Sequence, residues 1–77
     1  MDSITFKAGI DDLKAVVRLL HAEGHWVHEG PFDRYCAESG ESINFWPETG
    51  EIRVSGHPEA ARRLSERLRA LIESLDD

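Results

Sequence analysis

Four histidines and one cysteine supply the side chains that could bind a metal ion or act as a nucleophile: His21, His25, His28, His57 and Cys36. A zinc site needs several such ligands converging, and a catalytic thiolate needs a base and an oxyanion site nearby. His21 and His25 have the spacing that places two imidazoles on one helix face, but Gly24 is expected to end that helix first. We therefore predict no metal, no cofactor and no enzymatic activity, and we expect Cys36 to be half-buried in a strand.

The residues best suited to binding lie in a segment that reads as a β-hairpin, residues 42–56. A loop at residues 47–50 suits the sequence, because Pro47 fits the first turn position and Gly50 fits the left-handed position. The register that follows pairs Ile43 with Val54, Asn44 with Arg53, Phe45 with Ile52 and Trp46 with Glu51. One face of the hairpin is then apolar and the other is mixed, which is typical of an antiparallel pair buried on one side.

The remaining elements follow from hydrophobic periodicity. Residues 4–8 alternate as a short strand, and apolar residues recur at helical spacing from Ile10 to Leu20. Residues 26–28 and 32–37 each read as strand, so the strand count between His25 and Gly40 stays open. A last helix begins at Pro58, whose missing N–H costs nothing in the first turn.

These elements predict an α+β fold in the order β-α-β-β-β-α, as one domain spanning residues 1–77. Each helix has a single apolar stripe, so both are expected to cover the same face of an antiparallel sheet of three to five strands. This arrangement is a two-layer sandwich that leaves the other sheet face uncovered.

The uncovered sheet face is the predicted binding surface. If the apolar hairpin residues together with Ile4 and Phe6 face the helices, the opposite face carries Thr5, Lys7, Asn44, Trp46, Glu51 and Arg53. Trp26 and His28 join them if Val27 points inward. Tryptophan anchors protein interfaces or stacks on bases, and arginine binds carboxylates and phosphates.

Composition narrows the classes of function. The 77 residues carry a net charge of −6, which disfavours a non-specific nucleic-acid binder because such proteins usually have a basic surplus. With 40 % hydrophobic residues the chain can build a core. The first residues contain no basic leader and no apolar signal core, and one cysteine gives no disulfide framework. We expect a cytoplasmic protein that does not enter a membrane.

The hairpin-then-helix unit, residues 43–75, resembles the closing part of one repeat of the TATA-box-binding-protein fold. A similar unit occurs in the nucleic-acid-binding N-terminal domain of some bacterial ribonucleases H. The resemblance implies that the open sheet face meets nucleic acid. The chain from Leu13 onward is also similar in order to a double-stranded-RNA-binding domain, but residues 57–63 lack the lysine cluster that this family needs.

Two hypotheses of function follow. The first is a small acidic accessory or inhibitor protein that docks on another protein, like the anti-CRISPR or nuclease-inhibiting proteins of phages and mobile elements. Its expected contacts are Trp46, Arg53, Asn44, Trp26, Lys7, Glu48 and Glu51. The second is a nucleic-acid-binding module that uses the same sheet face. A homodimer sealed through the open sheet or an edge strand is a further hypothesis.

Overall fold

A five-stranded antiparallel sheet carries two helices in the computed structural model, which describes residues 4–20 and 23–75 apart from the side chain of Leu75. The elements are β1 (Ile4–Thr5), α1 (Ile10–Arg18), β2 (Gly24–Glu29), β3 (Phe32–Ala37), β4 (Ser42–Trp46), β5 (Glu51–Ser55) and α2 (Pro58–Leu75). The strand order is β1-β5-β4-β3-β2. The predicted α+β class and the sequence of strands and helices are confirmed, with one more strand than the order β-α-β-β-β-α, because the segment whose strand count was open contains both β2 and β3.

The β4–β5 hairpin has the register that the sequence predicts. All four predicted cross-strand pairs are present, from Ile43 with Val54 to Trp46 with Glu51. The loop closes through the Trp46 carbonyl oxygen, which accepts hydrogen bonds from the N–H groups of Thr49 and Gly50 at 3.2 and 2.8 Å. Gly50 has φ +77°, the left-handed conformation expected there. The turn chemistry and the apolar alternation therefore specify the same pairing.

Gly50 is expected to tolerate alanine less well than Gly30, a glycine with a similar φ of +70°. A Cβ at Gly50 would lie 2.6 Å from the Phe6 carbonyl oxygen, whereas a Cβ at Gly30 would meet nothing within 4 Å. Gly30→Ala should cost about 1 kcal/mol for the left-handed backbone alone. Gly50→Ala should cost about 3 kcal/mol, because overpacking against backbone adds to that strain. Urea denaturation of both variants measures the difference, and equal losses would contradict this account.

The core lies between the sheet and the helices. Both helices and the sheet contribute to one buried cluster, whose largest fully enclosed side chains are Phe45, Leu13, Ile43, Ile52 and Leu68. The apolar sheet face predicted from the sequence is confirmed, with Ile4 and Phe6 buried and Val54 packed against the cluster. From β3, Tyr35 and Ala37 join this face. Because the helices pack on this side only, the opposite sheet face is uncovered by the described residues.

The helix α1 is shorter than predicted, and Gly24 does not end it. The helix stops at Arg18, and the next two N–H groups bond to the Val16 and Val17 carbonyls. Gly24 is instead the first residue of β2, where a Cβ would collide with the Cys36 carbonyl oxygen. Its small size therefore serves the close approach of two strands.

The first strand is also shorter than the predicted residues 4–8. Among the described residues it pairs with β5 over Ile4–Thr5. The next residue, Phe6, donates its N–H to the Gly50 carbonyl oxygen at 2.7 Å, so one more hydrogen bond follows in the same register, but Gly50 belongs to the β4–β5 loop and the strand ends there. Within the part of the chain that the structure describes, neither helix has the length and apolar character needed to span a membrane.

Candidate functional site

The uncovered side of the sheet, here called the open face, presents its side chains in rows that run across the strands. The strand register defines a ring row of Glu51, Trp46, Phe32 and Glu29. It defines a neighbouring arginine row of Arg53, Asn44, Arg34 and Val27. At the usual strand spacing each row spans roughly 14 Å.

The two rings of the ring row are stacked on each other. The Phe32 and Trp46 ring centroids lie 4.9 Å apart with an interplanar angle of 29°. The guanidinium carbon of Arg34 lies 5.4 Å from the Phe32 centroid, and that of Arg53 lies 5.8 Å from the Trp46 centroid. Each ring therefore has one aromatic and one cationic neighbour, and such contacts hold the rings and the guanidinium groups in place.

The Asn44 side chain connects the arginine row through hydrogen bonds to its neighbours. Its side chain is only 8 % exposed although it lies on the open face. Its Oδ1 accepts a hydrogen bond from Arg34 Nε at 3.0 Å, and its Nδ2 donates to the Arg53 carbonyl oxygen at 3.2 Å and to Ser55 Oγ at 3.3 Å. One amide thus links β3, β4 and β5. The Arg34 guanidinium is oriented before any ligand arrives, which lowers the entropic cost of binding.

Carboxylates flank the two rings within the ring row. Glu51 lies opposite Trp46, and its Oε1 accepts a hydrogen bond from Arg53 Nη2 at 3.3 Å. Glu29 lies opposite Phe32 at the other end of the row. The ring row therefore has two aromatic rings in its middle and a negative charge at each end, and the neighbouring arginine row carries positive charge.

Most of the predicted contact residues lie where the sequence places them. Asn44, Trp46, Glu51 and Arg53 are on the open face. Glu48 is exposed in the loop between β4 and β5. The prediction for Lys7 is wrong: it is exposed but lies two residues beyond the short strand β1, outside the sheet. The hairpin half of the predicted surface is thus one continuous patch.

Trp26 and His28 do not lie on the open face, because Val27 points to that side. Trp26 is aligned with Tyr35 on the helix side of the sheet, with ring centroids 5.2 Å apart, and packs against the core. Lys14 of α1 lies 6.0 Å from the Trp26 ring. His28 is hydrogen-bonded through Nδ1 to Asp33 Oδ1 at 2.7 Å. Trp26 and His28 were expected on the open face only if Val27 points inward. Val27 points to the open face instead, so Trp46 is the tryptophan of that face.

Phe32 and Arg34 take the place of Trp26, and the sequence reasoning did not select them. The signal was present in the chain. Gly30 and Pro31 form a two-residue turn, which fixes Phe32 opposite Glu29. Tyr35 and Ala37 are the residues of β3 that suit a core, so the alternate residues Phe32 and Arg34 had to face the other way.

The described metal and nucleophile candidates do not form a metal-type cluster. Within residues 4–20 and 23–75, no three histidine, cysteine, aspartate or glutamate side chains come together as metal ligands. His25 is in β2 beside Cys36, and His57 lies just before α2. The His21–His25 spacing, which was not expected to form a site, lies partly outside the described residues, at His21. Cys36 is half-buried in a strand, as predicted, and its thiol is free.

An open cleft of about 240 Å³ lies on the helix side of the molecule, between α2 and the β3–β4 connection. Its lining comprises Ala37, Ser39, Glu41, Ala60, Arg63, Leu64 and Arg67. The Ser39 hydroxyl donates to Glu41, and this hydrogen bond lowers the pKa of the Glu41 carboxyl below its ordinary value. Arg67 donates to the Leu20 carbonyl oxygen at 3.0 Å. These polar groups are engaged in holding the fold, so the open face is the stronger candidate site.

Comparison with known proteins gives no match to the chain, whether with protein-family models, curated proteins or solved structures. The resemblances to the TATA-box-binding-protein fold and to the double-stranded-RNA-binding domain therefore stay predictions. The function has to be argued from the open face itself.

Proposed function

We propose that this protein is a non-enzymatic accessory or inhibitor protein that docks on a protein partner through its open face and the β4–β5 loop. The observation that carries the proposal is the ring row, in which stacked Phe32 and Trp46 are flanked by Glu29 and Glu51. Tryptophan and arginine are the residue types most enriched at the energetic centres of protein interfaces.

The ring row suits a protein better than a nucleic acid. Bases stack on free aromatic faces with their phosphates nearby, and carboxylates at both ends of the row would repel those phosphates. Phe32 and Trp46 already cover part of each other, which reduces the ring surface that a base could use. The net charge of −6 opposes a polyanionic partner at long range as well.

The charge layout specifies the chemistry of the partner. The centre of its surface should be apolar, to cover Phe32 and Trp46. Carboxylates of the partner would meet Arg34 and Arg53, and its lysines or arginines would meet the glutamates at the two ends of the ring row. Such alternation fixes the orientation of a complex more than it adds affinity. The exposed Glu48 in the adjacent β4–β5 loop adds a third carboxylate to those of Glu29 and Glu51.

The inhibitor part of the proposal rests on size and charge. A binding protein of 77 residues with a net charge of −6 is similar in these respects to the small acidic inhibitors of phages and mobile elements, both anti-CRISPR and nuclease-inhibiting. Such a protein works by occupying a surface, which a pre-organised open face can do without catalytic groups.

A nucleic-acid-binding module is the second candidate, because Arg34 and Arg53 lie beside the two rings on the same face. The two candidates differ in salt dependence. Binding dominated by phosphate contacts weakens steeply with added salt, whereas an interface centred on buried aromatic rings does not.

The test is affinity capture from a lysate of the source cells, with and without nuclease treatment, using wild type beside the double variant Arg34→Gln/Arg53→Gln. The matched control is Arg62→Gln/Arg69→Gln, which removes the same charge from exposed positions of α2. We expect a protein that the wild type and the α2 control retain and the open-face variant loses. Equal retention by both variants would place the interface elsewhere. Recovery of nucleic acid alone, lost in high salt, would favour the second candidate.

A further inference from the structure

The edge strand β2 exposes a row of backbone groups. Among the residues that the structure describes, it lies at one end of the sheet and pairs with β3 alone, whereas the opposite edge, β1, has two residues. At the open end of the β2–β3 ladder, Glu38 donates its N–H to the Glu23 carbonyl oxygen at 2.8 Å. In an antiparallel ladder alternate residues bond to the neighbouring strand. The backbone groups that point away from the sheet are therefore those of Gly24, Trp26 and His28.

This edge lacks the features that usually prevent strand pairing. Its six residues pair with β3 without interruption, so no bulge twists the strand away. It contains no proline and no lysine, which are the common protective residues of exposed edges. An edge of this kind can add a further strand through backbone hydrogen bonds.

We infer that β2 pairs antiparallel with β2 of a second copy of this chain, forming a symmetric dimer with one continuous sheet. The register that we assign places Val27 opposite Val27 of the second copy, on the two-fold axis. Trp26 of each copy then exchanges backbone hydrogen bonds with His28 of the other. This inference concerns self-association and does not depend on the proposed partner.

Side-chain complementarity selects that register. On the open face it places His25 of each copy opposite Glu29 of the other, so that an imidazole meets a carboxylate twice, with two valines between them. Shifting the pairing by two residues in one direction places Glu23 opposite Glu29 of the second copy, also twice, and like charges directly opposite each other destabilise a strand pair. Shifting it in the other direction removes the contacts between His25 and Glu29 and extends the ladder into the turn at Gly30.

The dimer would double the candidate binding surface. His25, Val27 and Glu29 all lie on the open face, since they are aligned with Cys36, Arg34 and Phe32. Paired residues in a sheet share a face, so both open faces would lie on the same side of the joined sheet. A protein partner with two-fold symmetry could then be bound at two sites at once, with a gain in avidity.

A disulfide cross-link tests the register. Val27→Cys in a Cys36→Ser background places two thiols across a non-hydrogen-bonded pair, about 4.5 Å apart at Cα, which a disulfide can bridge. The control is His25→Cys in the same background, where each thiol faces Glu29 of the second copy. Under mild oxidation we expect Val27→Cys to form a covalent dimer several-fold faster than His25→Cys. Equal rates, or faster cross-linking of His25→Cys, would overturn the register.

Sedimentation of the wild-type protein tests whether β2 forms the dimer interface. We expect the mass to rise with concentration from 8.7 kDa toward twice that value. His28→Pro should abolish this rise while the fold is kept, because the His28 N–H points away from β3 and proline is tolerated on edge strands. Circular dichroism checks the fold of the variant. A wild type that stays monomeric, or a dimer that survives in folded His28→Pro, would overturn the inference.

Discussion

Trp46→Ala is expected to weaken partner binding by roughly 30-fold or more, which corresponds to about 2 kcal/mol, the usual threshold for an interface hot spot. Trp46 lies in the middle of the ring row, at the end of β4, stacked on Phe32 and with its ring centroid 5.8 Å from the Arg53 guanidinium carbon. Its loss removes the apolar anchor and releases both neighbours from their positions. The affinity for the captured partner, measured by calorimetry, gives the result.

The control for this prediction is Leu19→Ala. Leu19 is an exposed apolar side chain just after α1, so its truncation removes apolar area from the side of the molecule that the helices cover. We expect its affinity to match the wild type. Trp46→Ala should keep its fold, since Trp46 is not part of the buried core cluster and its stack with Phe32 adds about 1 kcal/mol beyond the area it buries. Equal weakening by both variants, or none by either, would contradict the placement of the interface.

Phe45→Ala is expected to destabilise the domain by about 3–5 kcal/mol, the largest loss of stability predicted for this chain. Phe45 is adjacent to Trp46 but points to the opposite side of β4, where it is fully buried. Its ring meets Phe6 edge-on at 6.1 Å. A domain of this size has little stability to spare, so a substantial fraction of the variant should be unfolded at room temperature.

Thermal denaturation of Phe45→Ala beside Trp46→Ala measures the contrast between the two faces of one strand. We expect Phe45→Ala to lower the midpoint by far the larger amount. Phe45→Leu, which keeps most of the apolar volume, should fall between Phe45→Ala and the wild type. A larger shift for Trp46→Ala would mean that the open face holds the fold together, which the packing of Phe45 argues against.

The β4–β5 hairpin could be predicted from the sequence because three signals agree there. Pro47 and Gly50 fix the loop, the apolar residues alternate, and the register follows by counting. The course of the chain between Arg18 and Ala37 was harder to predict. Glycine is typical of the end of a helix, which favoured that interpretation of Gly24. In the structure Gly24 lies in β2, where the absence of a side chain allows close packing against β3.

The half of the candidate site that lies on β2 and β3, including Phe32 and Arg34, was missed for a related reason. Whether Trp26 or Val27 faced the helices could not be decided from residues 26–28 alone, since both side chains are apolar. The decision comes from Tyr35, which pairs with Trp26 and is buried in the core. Phe32 and Arg34 then follow by alternation with Tyr35 and Ala37 along β3, which brings them to the face that carries Trp46.

The most direct test of the central claim, that the open face is the binding surface, is an NMR titration of the labelled protein with the captured partner at fixed protein concentration. The indole N–H groups of Trp46 and Trp26 report on opposite sides of the sheet. We predict that the Trp46 indole and the Arg34 and Arg53 Nε–H signals shift or broaden while the Trp26 indole stays in place. Perturbation of Trp26 with Trp46 unchanged would contradict the account.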